Sequence, residues 1–404
     1  MILLLLACWT KVSGEIPVIK AQKCNDPIVV EDTARQVLQL DVRAGYAHDP
    51  IGKEGLAWWT AHSLFPSTLS KTVSVHPEYV RFRFSIPKAK QTEIIAGILD
   101  SLRNPIWYPQ DIVSLREQLL DSSYLPSQLD TQAAELINTQ WLYSGHPYGH
   151  SAMGNLQSAQ TISSVDIQEF FAQYYTRSSV VLGWAGSPQQ SSILEVMQEG
   201  LLSLPTHIPR YQTPVSLPPR KERKTLIFHV PELENSMGTL GLVIPNAVAS
   251  HRWVALAMQE YLCPRADEGI FFAVHNPTVS CVWEGQSSNE VIATIEENIL
   301  RYEEFFSLSP NDVRKYMLQG VQKRDPLSYS SLLRMSFVDA SEIPTEEQCV
   351  VALQEMQIHA PQMLLFSPEQ KETFVDIEDI FSSSVLFSQY KPFFLAQHRR
   401  NHEH

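Results

Sequence analysis

The chain has 404 residues, 44% of them hydrophobic, enough apolar surface for packed cores, and this excludes a disordered polypeptide. Its 31 Lys and Arg against 44 Asp and Glu leave a net charge of −13, which excludes a broad basic groove for a nucleic-acid backbone. At roughly 150 residues per domain, the length implies two or three domains.

The chain opens on an apolar run, Ile2 to Trp9, too short for the roughly 18 residues of a spanning helix. It has the core of a secretory signal without the basic flank. Leu5-Leu6-Ala7-Cys8 resembles a bacterial lipobox, so residues 1–29 are expected to be a leader and extension, with Cys8 as the candidate lipidation residue. The expected location is the periplasm of a bacterial cell envelope, with attachment to the membrane by lipid only.

Residues 37–44 alternate, with Leu38, Leu40, Val42 and Ala44 on one face, and predict a strand. Residues 55–65 (GLAWWTAHSLF) predict a buried helix, and 79–86 (YVRFRFSI) a half-buried strand. A helical stripe over 91–103 stops at Asn104-Pro105. A further helix opens at Pro109, another covers 129–143, and the loop Ser144 to His150 (SGHPYGH) follows. Residues 165–175 predict a helix and 179–185 a strand.

The same order returns in the second half: strands over 225–230 and 239–244, a helix over 251–263, a strand over 278–284 and a helix over 289–305. Pro109-Gln110-Asp111-Ile112 is echoed by Pro310-Asn311-Asp312-Val313, and Ser187-Pro188-Gln189-Gln190 by Ser367-Pro368-Glu369-Gln370, the latter after a strand-like run at 363–366. These echoes indicate a duplication. Between the halves, residues 204–224 hold five prolines and read as an extended linker. The five cysteines form no CxxC pair; one or two disulfides fit the count, but small buried hydrophobes are the expected role.

Several stretches resemble the pitrilysin or insulinase-type metallopeptidases, the family that includes the mitochondrial processing peptidase. Residues 37–68 are similar to its first strand and metal-binding helix, 142–154 to its characteristic loop, and 161–186 to the helix and strand that follow. The second half fits in the same order, so the resemblance spans about residues 30–380. It implies an α+β fold of two homologous domains, each a mainly antiparallel sheet packed with helices on one side. These would cover 30–203 and 225–380, joined by the Pro-rich linker 204–224 and followed by a tail, 381–404. Four such domains enclose a chamber in the family, so a two-domain chain is expected to pair with a second chain.

The family's metal helix carries H-x-x-E-H. Two His at i and i+4 share a helix face and reach one zinc, and the Glu takes a proton from the zinc-bound water. Here the matching segment is Trp58-Trp59-Thr60-Ala61-His62. An indole stands at the first ligand position, a methyl at the base, and only His62 remains. The third ligand, a Glu in the family, falls on Ser122; the adjacent Asp121 would point about 100° away on a helix. The family's substrate-holding Arg and Tyr fall on Arg265 and Phe272, so the ring stays and the hydroxyl goes. No glycine-rich loop precedes them. The segment from His62 to Tyr79 is shorter than the family's by about one helix. His146 and His150 lie in a loop with Pro147 and Gly149, so their spacing carries no argument for a shared face.

The expectation is a non-catalytic homologue without zinc, a binding or partner subunit forming half of a peptide chamber with an active relative. Two rival readings are an active peptidase with relocated ligands, His62 with Asp121 and His76, and a stand-alone envelope binding protein.

Overall fold

The computed structural model describes residues 26–32, 34–120, 131–186, 191–211, 217–218, 220–230, 233–244, 249–263, 278–323, 325, 327 and 343–368. Cys8, Asp121, Ser122, Arg265, Phe272 and the tail 381–404 lie outside them.

The first half supplies strands β1 (Ile28–Glu31), β2 (Val37–Val42), β3 (Lys71–Val75), β4 (Val80–Ser85) and β5 (Val180–Gly186). They form one sheet in the order β1-β5-β2-β4-β3, antiparallel except for the β1–β5 pair. Its helices are α1 (Leu56–Leu64), α2 (Gln91–Arg103), α3 (Pro109–Leu120), α4 (Thr131–Leu142), α5 (Leu156–Thr161), α6 (Ser164–Tyr174) and α7 (Ser191–Ser203). The second half supplies β6 (Thr225–His229), β7 (Ser236–Val243), β8 (Thr278–Gly285) and β9 (Gln362–Ser367), in the order β6-β9-β7-β8. Helices α8 (Ala249–Leu262), α9 (Ser288–Phe305), α10 (Pro310–Gln322) and α11 (Glu346–Met356) accompany them. In each sheet the first strand pairs parallel with the last, which then pairs antiparallel with the second. The two sheets therefore repeat one topology, and β3 has no counterpart among the described residues of the second.

Local chemistry explains the boundaries. Capping boxes start α6 (Ser163 with Asp166) and α11 (Thr345 with Gln348). Pro310 opens α10, where its missing N–H is not needed. No helix among the described residues is long and apolar enough to cross a membrane.

One face of the first sheet, with Leu38, Leu40, Val42, Phe82, Phe84, Leu182 and Trp184, is buried in the main core with its own half's helices. The opposite face is partly charged. There buried Asp41 accepts two hydrogen bonds from Arg81 at 2.9 Å and a third from Gln39 at 2.8 Å, and Arg83 donates to Gln39 at 3.0 Å. A buried carboxylate is tolerable in such a set because both of its oxygens accept hydrogen bonds, two of them from a guanidinium. Over this face lie Asp325 and Leu327 from the second half; Leu327 packs with Ile28 and Ala185.

The second sheet is covered in reciprocal fashion. Leu240, Leu242, Cys281 and Leu365 face α8, α9 and α10. The other face receives α4 from the first half: Ala134 and Ile137 pack with Phe228, Met237, Leu364 and Phe366, and Asn138 Nδ2 donates to Ser280 Oγ at 3.1 Å. The described end of the Pro-rich segment, around Arg220 and Glu222, is hydrogen-bonded to both halves. Arg220 donates to the carbonyls of Trp141 and Leu142 at 3.1 and 2.7 Å, a cation at the C-terminus of α4. Gln362 in turn donates to the Glu222 carbonyl at 2.9 Å.

Gly241 marks how closely α4 approaches: a Cβ there would stand 2.5 Å from Asn138 Nδ2 and 2.6 Å from Leu142 Cδ1. Gly241→Ala should therefore destabilise the protein by about 1–3 kcal/mol in urea unfolding. Gly97→Ala, in the exposed middle of α2 with nothing within 4 Å, should stabilise it by about 0.5–1 kcal/mol.

Candidate functional site

The segment matched to the metal helix is α1. It starts at Gly55, whose φ of 98° suits glycine, and whose Cβ would meet the Met153 carbonyl at 2.3 Å. The carboxylate of Asp49 accepts from Gly55 N and Ala57 N at 2.6 and 2.7 Å and so caps the helix from outside it. Burial pushes that carboxyl well above its ordinary range, although the amide donors pull it down.

Seven of the nine residues of α1 are buried, Trp59 and Ala61 completely; Trp58 and His62 are half-buried. They are one turn apart on the open side, and their rings stack with centroids 4.1 Å apart at 30°. The Ala61 methyl is closed into the core with no oxygen to move a proton. Trp59 lies under the Arg116 guanidinium of α3 at 5.9 Å, and Arg116 ties α3 to the Ala159 and Ile162 carbonyls at 2.9 Å. Lys71, the first residue of β3, donates to the Phe65 and Pro66 carbonyls at 3.0 and 3.1 Å, capping the end of α1 beside His62.

Burial, and then the Lys71 ammonium, lower the His62 pKa to about 4, so the imidazole is neutral at pH 7. His76 follows the far end of β3, where it stacks on Tyr79 at 4.3 Å; burial and Arg81 lower its pKa to about 3. Roughly 13 Å of extended strand lies between the Lys71 and Val75 ends of β3. The structure thus does not bring His62 and His76 together. Among the described residues no group of three His, Cys, Asp or Glu is placed to hold a metal ion.

β3 is the outermost strand of its sheet. Ser85 N donates to Ser70 O at 3.0 Å and His76 N to Tyr79 O at 2.9 Å, so even-numbered residues of this strand face β4. By antiparallel alternation, the backbone groups of Val73 and Val75 point away from β4, to a side where no strand pairs among the described residues. The site is therefore an aromatic–imidazole pair beside a strand that, among the described residues, is the outermost of its sheet. It offers ring surface and backbone hydrogen-bonding groups.

The SGHPYGH loop has a different task. His146 Nδ1 accepts from Tyr148 N at 3.2 Å, and the Tyr148 hydroxyl donates to Glu78. Buried Arg252 of α8 faces Glu78 and Tyr148, and the Tyr143 and Thr278 hydroxyls bond at 2.5 Å. This seam joins the halves. The cysteine expectation needs correction: Cys263 and Cys281 form a disulfide with Cα atoms 5.9 Å apart, whereas Cys349 is buried and free. The 18-residue separation across a helix end and a strand gave no local signal.

Solved structures share this architecture. A peptidase M16 inactive domain from Pseudomonas fluorescens matches with TM-score 0.62 and 14% identity over 87% of this chain and 98% of that one. A putative M16-like peptidase from Alicyclobacillus acidocaldarius gives TM-score 0.65 and 13% identity over 85% and 96%. The first half of the periplasmic protease PqqL from Escherichia coli gives 0.59 and 11% over 90% and 93%. The chain has the pitrilysin-type M16 fold. No family model matches the sequence, and no curated protein is similar to it at the sequence level.

The two depressed imidazoles set a pH dependence. An unfolded chain takes up these protons near pH 6.5, while the folded chain takes them up near 4 and 3. The stability they contribute is present above pH 6.5 and is lost as pH falls from there, toward 4 for His62 and toward 3 for His76. Thermal unfolding should show Tm falling over that window, and His62→Phe, which keeps a ring against Trp58, should flatten part of the slope.

Proposed function

We propose that this chain is a non-catalytic peptide-binding subunit, which forms half of a chamber with a second two-domain chain carrying an intact zinc motif. The observation that carries the reading is α1: an indole stacked on one neutral imidazole, with a buried methyl where the base belongs, beside the open edge of β3. Peptide would add to that edge as a strand, held by the outward backbone groups of Val73 and Val75, its side chains resting on Trp58 and His62. The likeness to a domain described as inactive supports the absence of catalysis, and the full structural span supports a two-domain building block.

The test uses the purified full chain and a six-residue peptide of alternating Val and Thr. The expected result is binding without cleavage and well under one zinc per chain. Val73→Pro removes an edge N–H without cutting the β3–β4 ladder and should weaken binding at least tenfold, whereas Val73→Ala should retain most of it. Cleavage that chelator abolishes, with one zinc per chain, would overturn the reading in favour of relocated ligands. Co-elution with a zinc-motif relative supports the partner role, and a single-chain elution volume in its presence argues for a stand-alone binding protein.

The reading includes location in an oxidising cell envelope, supported by the Cys263–Cys281 bond and by the likeness to a periplasmic protease. Non-reducing peptide mapping of the native protein should recover these two cysteines linked. Replacing both by Ser should lower stability by about 3 kcal/mol on the chain-entropy account.

A further inference from the structure

The face of the first sheet opposite α1 carries a cavity of about 270 Å³ at its β3 end. Arg35, Ser70, Thr72, Arg83 and Ser85 line it from the first half, and Asp325 from the second. Arg83 donates from Nε to Gln39 at 3.0 Å and from Nη2 to Asp325. Arg35 donates from Nε to Asp32 at 2.6 Å and from Nη2 to Asp325 at 3.4 Å. A guanidinium has about five N–H donors, and each of these uses two, so about three on each have no acceptor among the described residues. The hydroxyls of Ser70, Thr72 and Ser85 likewise make no hydrogen bond among them.

Asp325 already displays the group that this arrangement selects, a carboxylate shared between two guanidinium forks. The chain as a whole is at −13, so its overall field repels anions; an anion site here has to be local and built from such donors. The cavity also adjoins the open edge. β3 leaves its wall at Ser70 to Thr72 and runs to Val75, so a peptide paired antiparallel along that edge ends with its C-terminus at Lys71, beside the cavity.

We propose that this pocket is a carboxylate-binding site. Two sources have that chemistry: the C-terminal carboxylate of a peptide held along β3, which rests on the function proposed above, and a free small dicarboxylate, which does not.

The experiment is calorimetric titration of the full chain with the Val-Thr hexapeptide as free acid, with its C-terminal amide, and with succinate alone. Thr72→Glu is exposed and breaks no bond, and it places a fixed carboxylate in the pocket. Ser85→Glu, also exposed, is the second variant should the first fail to fold; thermal unfolding checks both. The free acid should bind at least tenfold tighter than the amide, and the variant should erase that difference while leaving the amide unchanged. Succinate binding that the variant abolishes, with no discrimination between peptides, assigns the pocket to free dicarboxylates. If succinate binds and neither peptide does, the pocket stands and the peptide-binding subunit falls. Equal binding of acid and amide with no succinate uptake overturns the pocket, even where Val73→Pro still abolishes peptide binding.

Discussion

A sheet has two faces, and among the described residues each half of this chain covers only one of them with helices of its own. The second face of each sheet receives the other half: α4 lies on β7 and β8, and Asp325 and Leu327 lie over β1, β4 and β5. Gly241 lets α4 approach, and Gly183 does the same for Leu327, whose Cδ1 lies 2.4 Å from where a Cβ would be. The cost of leaving either face exposed is of the order of 1.5–3 kcal/mol for each large apolar side chain uncovered. The relative placement of the halves is thus a consequence of core formation, and the polar seam of Tyr148, Glu78 and Arg252 refines it.

That constraint places the candidate site. The first sheet's helix-covered face holds α1 so tightly that only Trp58 and His62 remain partly open, and β3 carries the edge past them. The charged face behind the same strands, organised by Asp41, Arg81, Gln39 and Arg83, is where the second half arrives and where the carboxylate pocket forms. Two different environments therefore flank one strand edge, a ring surface on one side and guanidinium groups on the other.

Much of the fold was legible in the sequence, for physical reasons. The alternation of Val80, Phe82 and Phe84 against Arg81 and Arg83 reports a strand with one apolar and one charged face, and the structure has both. The stripe ending at Asn104-Pro105 reports α2 with its stop. What stayed hidden is what depends on distant residues. β3 is short and half-exposed, and its Lys-Thr-Val-Ser-Val pattern is weak without its partner strand. The docking of α4 across the seam, the Cys263–Cys281 bond and the meeting of Arg35 with Asp325 join positions that no local pattern links. Of the site, Trp58, Ala61 and His62 were readable as a motif without its chemistry. Their stacking and the neutrality of His62 come from burial and from Lys71, which only tertiary structure sets.

The absence of the metal motif is compatible with an intact fold because of where the motif sits. Helix α1 is held by Leu56, Trp59, Ala61 and Leu64 in the core, by Asp49 at its start and by Lys71 at its end, and none of these groups needs an ion. The ligand positions lie on the one strip of the helix that is only half-buried. There an indole and an imidazole stacked on each other contribute about 0.5–1.5 kcal/mol beyond burial, with no carboxylate to desolvate. A zinc ion, by contrast, would require two more ligands and a base on a strip that carries a single imidazole among the described residues. The scaffold and the metal motif are thus separable at this helix: the fold that holds α1 does not depend on the residues that would bind an ion.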